Sequence, residues 1–206
     1  MALVKYNNNS ISAITAAAAI PSGAMTLIKE VTASASATVS FVDGASDVDL
    51  DATYPIYLFK FINIHPADDN ADLKFQCSTD GGSNYNTTLT STAFNAWHNE
   101  GDGTPVLQYL DNEQAQGTNF ENIATYVGAD ADQNTSGELW LFSPSSTTFV
   151  KHYITRFNVL THHDYNVDEP RAGYFNTTSA INAIQFKFDS GAIDAGKIKM
   201  YGIKDS

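Results

Sequence analysis

The sequence predicts an all-β chain: an antiparallel two-sheet β-sandwich, jelly-roll-like, preceded by an extended N-terminal arm. Three observations carry this expectation. Apolar residues recur at every second position through most of the chain after Met25, the alternation of strands with one wet face. The apolar stretches are rich in β-branched and aromatic residues, which suit a pleated, half-buried surface. No stretch sustains the 3.6-residue period of a long amphipathic helix. Turn-forming clusters divide the chain into nine or ten strands, and eight or more strands suit two packed sheets.

Residues 1–24 differ from the rest. The run NNNSISAITAAAAIPSG is Asn-, Ser- and Ala-rich and holds few large apolar groups. Such a segment buries little surface by itself. It reads as a frayed terminus or as an arm that gains order against a neighbouring subunit, with the arm as the expectation. The sandwich domain then covers residues 25–206. TLIKEVT and ATVSFV read as its first strands. YPIYLFKFINI (54–64) is nearly continuous in apolar and aromatic residues, as a central strand covered on both faces would be. ADLKFQCS follows, and Asp80-Gly81-Gly82-Ser83 is expected to close a hairpin, because these residues tolerate positive φ.

Residues 89–135 are less regular. They read as a long excursion with short strands around VLQYL and IATYV, and with a short helix near TAFNAWHNE or TNFENIA. Strands resume at GELWLFSP (137–144). In KHYITRFNVLTHH (151–163), Tyr153, Thr155, Phe157 and Val159 oppose His152, Ile154, Arg156 and Asn158. RAGYFN, INAIQFKFDS and GKIKMYGIK complete the pattern. Ile184, Phe186, Phe188, Ile198 and Met200 are expected to face inward, and Gln185, Lys187, Lys197 and Lys199 outward.

Charge narrows the range of partners. The net charge is -12, from 23 acidic against 11 basic side chains. Such a surface repels phosphate backbones and anionic membranes, so neither nucleic acid nor membrane is an expected partner. The start MALVKYNNNS lacks the layout of a secretory signal, and AITAAAAI is too short to span a bilayer. Folding in the cytoplasm of the producing cell is the expectation. The triplets at Asn8, Asn86, Asn134 and Asn176 then read as loop chemistry rather than glycosylation sites.

No catalytic signature is present: no G-x-S-x-G, H-E-x-x-H, C-x-x-C, P-loop or G-x-G-x-x-G. Cys77 alternates with Leu73 and Phe75 and reads as a buried small hydrophobe. Asp47, Asp49 and Asp51, with Asp68, Asp69, Asp72, Asp130 and Asp132, read as solvated turns, structural calcium being the alternative. His162-His163-Asp164 sits at a strand end, where adjacent rings point to opposite faces and at most one reaches a given ion. A glycosidase needs two converging carboxylates. The six candidates are Glu30, Glu100, Glu113, Glu121, Glu138 and Glu169, and sequence pairs none of them. Trp97, Tyr109, Tyr126, Tyr165 and Tyr174 lie in or near irregular segments. They are expected to pack a core or an interface, with stacking on sugar as the alternative. No catalytic, cofactor-binding or metal-ligating residue is assigned, and the chain is not expected to be an enzyme.

Several stretches carry a resemblance: KYNNNSISAI, residues 27–44, residues 54–86, SPSSTTFVKHYITRF (143–157) and residues 172–204. Together they resemble virion structural proteins of marine tailed bacteriophages, more weakly over 89–135. The resemblance implies a component of a phage particle, foremost a capsid decoration or cement protein bound to the major capsid protein or to other virion proteins. A homo-oligomer is expected, with a trimer favoured. The alternative is a tail-fibre, tail-spike or adaptor component that recognises a host surface glycan. The implied location is the virion, assembled in the host cytoplasm.

Overall fold

The computed structural model describes residues 24–101, 103 and 105–204. The expected arm lies outside these residues except for Ala24. Among the described residues there are twelve strands and no helix. They are β1 (Met25–Ser36), β2 (Val39–Val42), β3 (Ile56–Pro66), β4 (Ala71–Ser78), β5 (Leu89–Asn99) and β6 (Val106–Tyr109). The second half adds β7 (Glu121–Val127), β8 (Thr135–Phe142), β9 (Lys151–Leu160), β10 (Tyr165–Phe175), β11 (Ala183–Phe188) and β12 (Ile193–Ile203).

Two antiparallel sheets pack as a sandwich. The larger has the order β1-β12-β3-β8-β9-β10-β5-β6 and the smaller β2-β11-β4-β7. Without β5, β6, β9 and β10, the remaining eight strands form two four-stranded sheets, β1-β12-β3-β8 and β2-β11-β4-β7. That is jelly-roll connectivity, in which the chain passes repeatedly between the two sheets. The four other strands are two insertions, β5–β6 between β4 and β7, and β9–β10 between β8 and β11. They meet side by side and extend the larger sheet well past the smaller one.

The core lies where the two sheets overlap. Phe59 and Phe61 of β3 meet Phe41 of β2 and Phe186 of β11, with ring centroids 5.0–6.3 Å apart and mostly edge to face. Such pairs add to the burial of the rings themselves. Phe75 of β4 touches Tyr153 and Phe175 at 5.0 and 5.9 Å. The inward and outward positions expected for the last two strands agree with their burial. Cys77 is fully buried, and desolvation pushes its thiol pKa up. One close approach demands glycine. Gly196 has φ +119°, and a Cβ there would lie 2.5 Å from the carbonyl oxygen of Asn63, beside the bulge in the β3–β12 pairing.

Several expectations need correction. Twelve strands replace nine or ten, and the expected short helix forms at neither place. TAFNAWHNE lies in β5, and TNFENIA runs into β7. The strand around RAGYFN begins earlier, at Tyr165. Asp80–Ser83 does reverse the chain, with Gly81 and Gly82 at φ +73° and +81°, but it closes no hairpin. β4 belongs to the small sheet and β5 to the large one. Turn chemistry sets the reversal and says nothing about which sheet receives the next strand.

Candidate functional site

The inner face of the sheet extension is built differently from the core. Residues 89–97 of β5 point inward at Leu89, Ser91, Ala93, Asn95 and Trp97. β10 points inward at Val167, Glu169, Arg171 and Gly173. Polar side chains thus occupy core positions where little of the small sheet lies opposite. Arg171 engages the two buried carboxylates, Glu169 and Glu121. Its Nε and Nη2 donate to Glu169 Oε1 at 2.8 and 2.6 Å, Nη1 donates to Glu121 Oε1 at 3.3 Å, and Nη2 donates to Asn112 Oδ1 at 2.8 Å. Glu169 Oε2 accepts from the Thr125 hydroxyl at 2.7 Å and the Thr125 amide at 3.2 Å. Glu121 Oε2 accepts from Gln114 Nε2 at 3.0 Å. Burial holds the Glu121 carboxyl above its usual range, against the pull of Arg171. This network ties β7 and the 112–121 segment to β10.

Beyond the network the inner face opens into a cleft of about 350 Å³. Its floor is a stacked pair: the Trp97 and Tyr165 rings lie 4.9 Å apart and 7° from parallel. The arc continues from Tyr165 to His163 at 6.2 Å, to His162 at 3.8 Å and to Tyr126 at 6.5 Å. Asn70, Asn95 and Gln108 supply amides, and Thr161 and Val167 complete the wall. Among the described residues no Lys, Arg, Asp or Glu lines the cleft. Asn95 is 3% exposed, yet among the described residues its Oδ1 has no hydrogen-bond partner, and neither does His162 Nδ1.

Tyr126 projects at the rim, 51% exposed, from a backbone at φ +60°. Positive φ is costly for an aromatic residue. Two bonds fix it: its N–H donates to Asp72 Oδ1 at 2.9 Å, and its carbonyl accepts from the His162 amide at 3.2 Å. Burial raises the Asp72 pKa.

Of the five aromatic residues singled out from sequence, Trp97, Tyr126 and Tyr165 converge here. Tyr109 and Tyr174 lie on the opposite face of the sheet. The expectation for His162 and His163 needs correction. They occupy the turn after β9, so strand alternation does not apply and both rings line the cleft. Asn95 and Gln108 were not anticipated. Their pairing across β5 and β6 is readable only from register.

The other candidates are dispersed. Asp51 accepts from the Thr53 amide, Asp68 from the Ser190 hydroxyl and Asp69 from the Ala129 amide. Asp47 and Asp49 stand exposed in the 43–51 turn. Glu30 pairs with Lys197 and Lys199, Glu138 with Lys60, and Glu113 accepts from Tyr109. Among the described residues no group of three or more His, Cys, Asp or Glu could hold a metal ion.

The outer face of the large sheet is a second feature. One cross-strand row reads Leu27, Tyr201, Leu58, Trp140, Ile154, Ala172 and Thr92. Leu58 is buried yet lies outside the inter-sheet core, so its neighbours on this face cover it. A parallel row begins Met25, Ile203, Ile56 and Phe142. Phe94, Leu107 and Tyr109 extend the apolar surface at the β6 edge, and Leu107 is 74% exposed. Beside these rows Lys60, Arg156, Lys197 and Lys199 pair with Glu138, Asp168 and Glu30.

The fold defines a jelly-roll β-sandwich protein whose larger sheet is doubled in width by two insertions. No family model, curated protein or solved structure matches the chain.

Proposed function

We propose that the protein is a non-enzymatic structural subunit of a phage virion, foremost a capsid decoration or cement protein. In this reading the outer face of the large sheet docks on the major capsid protein, and residues 1–24 add contact to a neighbouring copy in a homo-oligomer, with a trimer favoured. The apolar rows on that face carry the reading. Leu27, Ile154, Phe94 and Leu107 are each about half exposed or more, and contiguous exposed apolar surface marks interaction sites. Charge supports the same face. Among the ion-paired side chains there, four cations stand against three carboxylates, on a chain with 11 against 23. It is a face on which a second acidic protein meets little repulsion. The buried carboxylates Glu121 and Glu169 are engaged by Arg171 rather than presented to solvent, which supports a non-catalytic role. The sequence resemblance supports the phage setting.

Quantitative mass spectrometry of purified particles tests the proposal. Hundreds of copies per particle are expected. A dozen or fewer would exclude the decoration role and favour the tail-component alternative. Deletion of residues 1–20 is expected to abolish assembly of the isolated protein, and an unchanged oligomer would remove the arm from the proposal.

A further inference from the structure

We propose that the cleft at the end of the sheet extension binds a neutral hexopyranose, and that Trp97 is its stacking platform. Four properties of the cleft lead to this ligand class. Tyr165 covers one face of the Trp97 ring, 4.9 Å away and 7° from parallel, and the other Trp97 face is the aromatic surface that suits the C–H face of a sugar ring. Asn95 Oδ1 is a buried acceptor without a partner, and His162 Nδ1 is a second unpartnered polar atom. Buried polar groups are nearly always satisfied, so these two atoms, just beneath the cleft surface, are left for a ligand hydroxyl to pair after a small side-chain rotation. Gln108 stands beside Asn95 across the β5–β6 pair and offers both a donor and an acceptor. Amide, imidazole and hydroxyl groups beside an aromatic ring match a polyhydroxylated ring.

Charge and size narrow the ligand further. Among the described residues the lining holds no Arg or Lys to pair with a carboxylate, sulfate or phosphate, and the net charge of -12 repels anions. Among the described residues it holds no Asp or Glu to pair with a cation. Sialic and uronic acids, phosphosugars and amines are therefore disfavoured. The volume of about 350 Å³ is at the small end of the ~300–1,000 Å³ range of ligand pockets. It suits one sugar residue, with the Tyr126 rim beside the entry. The site lies on the inner side of the sheet, away from the apolar rows of the outer face, so ligand binding does not compete with docking there.

Saturation-transfer NMR on the full chain tests the proposal. The probes are glucose, galactose, mannose and N-acetylglucosamine, with N-acetylneuraminic and glucuronic acids as anionic comparators. At least one neutral hexose is expected to saturate with a Kd on the order of 1 mM, near the weak end of specific binding, and neither acid is expected to bind. Trp97→Ala should weaken binding at least tenfold, and Gln108→Ala several-fold. Trp140→Ala, on the outer face, should leave it unchanged. Gln108 is exposed on an edge strand, so its variant remains informative even if Trp97→Ala fails to fold. The proposal is overturned if no neutral hexose binds the folded wild-type chain. It is equally overturned if the acids bind as well as the neutral sugars, or if a folded Gln108→Ala variant binds unchanged.

Discussion

The two halves of the large sheet have the same pleat and opposite interiors. Over the jelly-roll framework, the inner face meets the small sheet and is filled by Phe41, Phe59, Phe61, Phe75 and Phe186. Over the extension, the same face meets segments of the 110–121 loop and β7, and it is filled by Glu169, Arg171 and Asn95. A sheet face with a second sheet opposite can be apolar throughout. A face covered partly by loops must also satisfy the loops' polar groups, and where the cover ends it forms a cleft. Stability is thus concentrated in the framework, and chemistry is available in the extension.

Four measurements would break or sharpen this contrast. The largest effect is expected from Phe186→Ala, which empties the centre of the aromatic core and should cost about 3–5 kcal/mol in denaturant unfolding. Arg171→Ala should cost a similar ~3–5 kcal/mol, because two buried carboxylates lose their cation. The regions separate on full replacement. Exchanging Glu121, Glu169 and Arg171 together for apolar residues of similar volume should recover most of that loss. If the triple variant is no better than Arg171→Ala, the network is needed for the conformation itself.

The third test is pH. Burial raises the folded-state pKa of Glu121, so its protonation favours the fold; that contribution is complete below its ordinary 4.5 and is lost as pH rises through the raised value. Asp80 behaves oppositely. The Ser78 hydroxyl and Asn84 hold its carboxyl down to about 2, so its contribution is present above the ordinary 3.8 and lost as pH falls through about 2. Thermal unfolding should show Glu121→Gln flattening the stability profile above pH 4.5 and Asp80→Asn flattening it between 3.8 and about 2. The smallest stability effect is expected from Ile154→Asp on the outer face. It should change stability by no more than about 0.5 kcal/mol while lowering incorporation into particles.

The same contrast explains what the sequence made legible. β11 and β12 alternate cleanly because one face meets the apolar core and the other meets water, so Ile184, Phe186, Ile198 and Met200 declare their direction. β5 gives no such signal. Its inward positions include Ser91 and Asn95 and its outward ones include Phe94, so hydrophobicity inverts where the strand leaves the core. Residues 89–135 looked irregular for that reason. The cleft was legible only as a set of aromatic residues. What brings Trp97 and Tyr165 together is the pairing of β5 with β10 across more than sixty positions of chain, and Tyr126 joins them from β7 through the His162 amide; no short window contains these non-local facts.

The insertions leave and re-enter the framework at four points: after Ser78, before Glu121, after Phe142 and before Ala183. The eight framework strands are complete without them. Descent with modification can therefore act on the two hairpins separately from the scaffold, lengthening, shortening or exchanging them while the aromatic core stays in register. A lineage that needs a new surface specificity has a place to change it, and the barrier to that change lies in the Arg171 network where the cassettes are fastened rather than in the jelly roll beneath.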